Sequence, residues 1–319
     1  MGDFEVNALL NAATASANDA QMLCEDIAQQ LFPRAVRAPS EEVLAATRLL
    51  LQKLVAAIED GLGIGNDDIV PKSWEILCRS GLLREPALIE FALARRAEER
   101  IAERLGVSGM ALIGQLSNRL LHNSDPAISS CARAFLIAEN AAQLRTPEQL
   151  ARQLPADLLH LLVWRVVAVF QMDDKHRPAN LVAQGHKLLS AHDEAAAVHA
   201  AAAKLVYFLS EDERACLDNP VSAGLSLYVS GLAHDFRLPH DRILRFIDED
   251  DLGPLLLMLR ARGHDAQTAL SILQYLRGQR SDDHLLPDML GHFDEMGADA
   301  ARTEVLGWRL GAVPVWKAG

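Results

Sequence analysis

Four histidine-aspartate pairs stand out in the chain: His192-Asp193, His234-Asp235, His240-Asp241 and His264-Asp265. With 11 histidines and 24 aspartates in 319 residues, chance gives about 0.8 such pairs. An imidazole beside a carboxylate can ligate a catalytic metal. It can also carry a group on one ring nitrogen while the carboxylate orients the ring. Helix grammar supplies a third cause, because His favours helix C-termini and Asp favours N-caps, so the pair marks junctions. A metal-dependent phosphohydrolase of the HD type needs further ligands from other helices. His160, His186 and His199 could supply them, but no spacing selects them. The expectation is therefore no metal and no cofactor, with the HD-type hydrolase as an alternative.

The sharpest local signal runs from Ala233 to Ile243, AHDFRLPHDRI. It resembles the phosphoacceptor box of sensor histidine kinases, in which an exposed His is followed by an acid, an apolar residue, a basic residue and a proline. The resemblance implies a passive phosphoacceptor, His234, oriented by Asp235. Leu238 stands where that family carries a hydroxyl or amide, and no Gly-rich ATP-binding segment follows, so a kinase is excluded. The competing reading is a helix ending near His234, a turn through Pro239, and a new helix capped by Asp241.

Other catalytic signatures are missing: there is no G-x-S-x-G, H-E-x-x-H, Walker A or C-x-x-C. Gly61, Gly63 and Gly65 follow a helical pattern, not a strand, and read as a connector. Cys24, Cys78, Cys131 and Cys216 are far apart and read as single thiols. The expectation is that the protein is not an enzyme.

The elements that must position these residues are helices. Leu44, Thr47, Leu51, Leu54 and Ile58 share a face behind a Ser40 cap. Leu93, Ala97, Ile101 and Leu105 form a second stripe, and the opposite charges Arg95, Arg96, Glu99, Arg100 and Glu103 read as a solvated face. Thr146-Pro147 opens a helix, Pro155 starts the apolar run Leu158–Phe170, and Asp193 starts the Ala-rich EAAAVHAAAAKLVYFL. Asp265 and Ser281 each cap another, and a last helix runs from about Ala300 to Leu310. The pattern predicts an all-α fold of about 15 helices, as stacked helix pairs or two joined bundles. A soft boundary near Arg145–Thr146 divides residues 1–145 from 146–319.

Composition agrees. Half the residues are hydrophobic, aromatics are only 5%, and the net charge is −12. That sign disfavours binding to nucleic acid and to anionic membranes. The Leu158–Phe170 run is too short to span a bilayer, and MGDFEVNALL lacks the basic and apolar regions of a leader, so a cytoplasmic location is expected.

The stretch from Tyr228 to Trp308 resembles the bacterial family catalogued as domain of unknown function 2336. The resemblance is carried by an apolar helix, the Leu256–Gly263 element LLMLRARG, and the closing Trp308-Arg309 pair, with Trp74–Leu83 and Ala87–Glu90 as a second similar segment. It implies HEAT-like packing and no established activity. The expected function is a non-enzymatic scaffold that binds a partner helix or peptide, and the excess negative charge favours a basic partner. Acidic candidates for that contact are Asp248, Glu249, Asp250 and Asp251, with Asp67-Asp68, Glu211–Glu213 and Asp282-Asp283.

Overall fold

In a computed structural model the described residues are 40–65, 70–107, 113–144, 146–172, 180–249, 252–277, 291 and 293–308. They contain sixteen α-helices. In chain order these are α1 (Glu41–Gly61), α2 (Trp74–Arg79), α3 (Pro86–Val107), α4 (Gln115–Leu120), α5 (Pro126–Ala142), α6 (Pro147–Arg152), α7 (Ala156–Met172) and α8 (Leu181–Ser190). They continue as α9 (Val198–Phe208), α10 (Glu211–Ala215), α11 (Pro220–Ala223), α12 (Leu225–Phe236), α13 (His240–Asp248), α14 (Gly253–Ala261), α15 (Ala266–Arg277) and α16 (Ala298–Gly307). Among the described residues the sole β pairing is an isolated bridge between Ile113 and Gly224. The fold is all-α. The helix expected from Ser281 falls largely outside the described residues.

Chain contacts define two compact units, Met1–Leu44 and Ala45–Gly319. Of the first, only 40–44 is described, where the Ser40 hydroxyl accepts from the Val43 amide at the head of α1. The second unit holds two apolar clusters that interleave along the chain. One joins α1, α2 and the start of α3 to α7 and α8. The other joins the end of α3, α4 and α5 to α9 and the helices from α12 onward. Segments on both sides of the expected boundary near Arg145 thus share each cluster.

The apolar run Leu158–Phe170 forms most of α7, and eight of that helix's residues are buried. Within the apolar run, Arg165 bonds the Leu82 carbonyl and lies 3.7 Å from Glu85. At α2 a remote side chain caps the helix. The buried Glu59 carboxylate accepts from the amides of Lys72 and Ser73 at 3.0 and 2.7 Å and from the Ser73 hydroxyl at 2.6 Å.

Two expectations need correction. The charged side of α3 is not a solvated face. Helix α13 packs along α3 with matching charges: Arg95 donates to Asp241 at 2.6 Å, and Arg100 and Arg104 both reach Asp248. The neighbouring stripe, Ala97, Ile101 and Leu105, is also buried. The Ala-rich run after Asp193 is not one helix. Asp193 caps a single 3-10 turn, Glu194–Ala196, and Ala197 is extended. Helix α9 then begins at Val198, whose amide donates to the buried Gln153 side chain at 2.8 Å. That bond satisfies an amide that lies ahead of the helical ladder and restarts the helix there.

Candidate functional site

Helix α5 buries Ile128, Cys131, Ala132, Phe135, Ala138 and Glu139 along one face. The 3.6-residue period therefore places an acid where the core expects an apolar side chain. Glu139 is 7% exposed. Ser226, at the start of α12, favours its charged form. Its Oε2 is buried with no hydrogen-bond partner. Burial, and then the charge of Glu98, push its pKa up to about 7 against the opposing pull of Ser226 and Arg95.

Arg95 on α3 is 5% exposed. Its guanidinium donates to Glu98 Oε2 and Asp241 Oδ1, each at 2.6 Å, and stands 5.5 Å from the centre of the Phe91 ring. Burial works against its charge, but Glu98 and Asp241 outweigh it and raise the pKa above the ordinary value. His240, first in α13, has Nδ1 3.2 Å from the Ser230 hydroxyl, and its ring centre lies 6.3 Å from that of His199 on α9. Desolvation first, and Arg95 second, depress the pKa of both imidazoles, so neither adds a positive charge at neutral pH.

The charge balance of this cluster is uneven. One guanidinium faces three carboxylates, Glu98, Asp241 and Glu139. The raised pKa of Glu139 means that a proton partly makes up the deficit. The cluster opens into a cleft of about 290 Å³, lined by Arg95, Glu139, Gln153 and Ser226. Leu49, Leu50 and Leu150 supply apolar wall, with Leu49 49% exposed, and Arg96 and Glu99 pair beside it at 3.1 Å. The cleft thus sets three leucines, with Lys53 as a further cation on the lining, beside a residue whose buried carboxyl oxygen is unsatisfied. That geometry suits a donor at the end of an apolar stem, above all a cation.

The residues singled out in the sequence lie elsewhere. His234 is exposed on the last turn of α12, with Nδ1 3.4 Å from Asp235 Oδ1. The other Asp235 oxygen accepts from Arg262 at 2.9 and 2.6 Å. Asp193 and Asp265 serve as caps, and His192 Nε2 lies 3.0 Å from the Leu154 carbonyl. His240-Asp241 is no cap, because both residues belong to the buried cluster. Among the described residues no three His, Cys, Asp or Glu converge to hold a metal.

The acidic candidates also separate. Asp248 is 5% exposed and held by Arg100 and Arg104, so it is a structural anion between α3 and α13, not a surface charge. Glu249 pairs with Arg245 at 2.9 Å. Glu213 completes a capping box with Ser210. Asp250, Asp251, Asp67, Asp68, Asp282 and Asp283 lie outside the described residues.

Glu139 escaped the sequence reading, and Arg95 was read there as part of a solvated face. The available signal was a carboxylate in register with an apolar stripe, at 128, 131, 132, 135, 138 and 139. Comparison of the chain with known protein families, curated proteins and solved structures gives no match, so the resemblance in 228–308 stands on its own residues.

Proposed function

We propose that the protein is a non-enzymatic binding protein that docks a partner helix or peptide through a basic anchor residue, whose apolar stem lies along Leu49, Leu50 and Leu150 and whose charged head meets Glu139. The observation that carries this reading is the buried, unpartnered Oε2 of Glu139, a residue that lines the cleft. A buried carboxyl oxygen without a partner costs free energy, and a ligand that supplies the donor recovers it. Lys53 and Arg96 also line the cleft, so the preference for a cation rests on the buried cluster alone, where Arg95 faces Glu98, Asp241 and Glu139. The free thiols of Cys78, Cys131 and Cys216 support a reducing, cytoplasmic setting. Among the described residues no helix is long and apolar enough to cross a membrane.

The test uses n-butylguanidinium, the head and stem of an arginine side chain, against its neutral isostere N-butylurea. Saturable binding is expected for the cation at about millimolar Kd, as befits a fragment of this size. The urea should bind at least about tenfold more weakly, and Glu139→Gln should lose the preference. Equal binding of the two compounds would refute the cationic anchor.

A further inference from the structure

The C-terminal end of α12 carries a second feature that the cleft does not use. Beside exposed His234 a shallow depression is lined by Arg214, Arg237 and Arg302 as well as Asp235. The three arginines come from three places: α10, the residue that ends α12, and α16. Among the described residues none of them is engaged by a carboxylate. Asp235, the one acid on the lining, is engaged by Arg262, whose guanidinium it shares with Asp218 at 3.0 Å. In a chain with net charge −12 and abundant surface acids, three unpaired guanidiniums around one imidazole are a local reversal of sign.

The helix dipole accounts for one cation at this end of α12 and not for three drawn from separate elements. Arg237 adds a backbone argument. It sits at φ +51°, the left-handed conformation that normally falls to glycine at a helix C-terminus. The backbone of Arg237 ends α12, its amide donating to the Ala233 carbonyl, while a glycine would do this at less conformational cost; its side chain lines the depression.

We infer that this depression binds a phosphate monoester group. Three guanidinium forks match the oxygens of a tetrahedral dianion. Asp235 engages Nδ1 of His234 and leaves Nε2 to face the ligand. Binding here is non-covalent and separate from the Glu139 cleft.

The experiment follows the His234 ring C–H resonances by NMR, assigned by their loss in His234→Gln, at fixed pH and ionic strength with chloride as the balancing ion. Inorganic phosphate should shift them saturably. Arg237→Gly fits the left-handed backbone and should keep the circular dichroism of the parent while weakening phosphate binding about tenfold. Arg302→Ala should act likewise. A phosphoserine heptapeptide and its unphosphorylated twin assign the source. Tighter binding of the phosphopeptide than of inorganic phosphate marks a phosphorylated protein, and equal binding marks a free phosphate ester. The inference is overturned if no saturable shift appears by about 50 mM phosphate, a weak limit for a three-arginine site. It is also overturned if Arg237→Gly and Arg302→Ala both bind as the parent does.

Discussion

Glu139 has the surroundings of a core residue and the chemistry of an acid, and its stability signature follows. Its folded pKa, about 7, stands above the ordinary value of 4.5. The folded state therefore keeps a proton that the unfolded chain releases. Stability from this group is fully present below about pH 4.5 and is lost as pH rises through about 7. Above that, ionised Glu139 costs about 3 kcal/mol. Glu139→Gln has nearly the same shape and cannot ionise. In urea unfolding it should exceed the parent by about 1–3 kcal/mol at pH 8 and differ little at pH 5. The same gap at both pH values would show that the carboxyl is not buried as described. His199 and His240 act in the opposite direction: their depressed pKa values subtract stability as pH falls below about 6.5. Little of this was legible in the sequence. Histidine-aspartate spacing drew attention to His240-Asp241, but as a junction. That the pair meets Arg95, some 146 positions earlier, depends on the packing of α13 against α3.

At the scale of the element, periodicity gave away most of the fold. The stripes on α1 and α3, the Thr146 cap and the buried run in α7 need only local rules, and local rules can be read from one segment. The charged face of α3 could not be read that way. Mixed charges at i, i+3 and i, i+4 look alike whether they pair within the helix or across to a neighbour, and only the α13 contact decides. The distinction has an energetic consequence. Asp248 sits between two arginines with a 2% exposed side chain, so Asp248→Ala leaves two half-buried guanidiniums without their anion and should cost about 2 kcal/mol. Glu249→Ala, next in sequence, removes an i, i+4 pair at the surface and should cost under about 1 kcal/mol. Chemical denaturation of the two variants checks this directly, and similar losses would place Asp248 back among the surface charges. Helix α12 joins the two candidate sites. Ser226 at its start borders the cleft and His234 near its end borders the arginine depression, about 12 Å apart along the axis at 1.5 Å per residue.

For the whole molecule, net charge was visible from the composition, but its placement was not. Of the acids that a sequence reading would assign to a partner surface, Asp248 is held in the α3–α13 contact, Glu249 by Arg245 and Glu213 in a capping box. The imbalance lies instead around the buried Glu139 beside a cleft, which no composition or motif reports. The account rests on that imbalance being met by a partner's cation. Isothermal titration of n-butylguanidinium at pH 7, in two buffers of different protonation enthalpy, measures it most directly. If the cation replaces the proton on Glu139, binding releases about half a proton, because a group of pKa about 7 is about half protonated at that pH. The observed enthalpy should then depend on the buffer in the parent and not in Glu139→Gln. Binding with no proton release, or with the same release in Glu139→Gln, would contradict the assignment of Glu139 as the residue that receives the anchor.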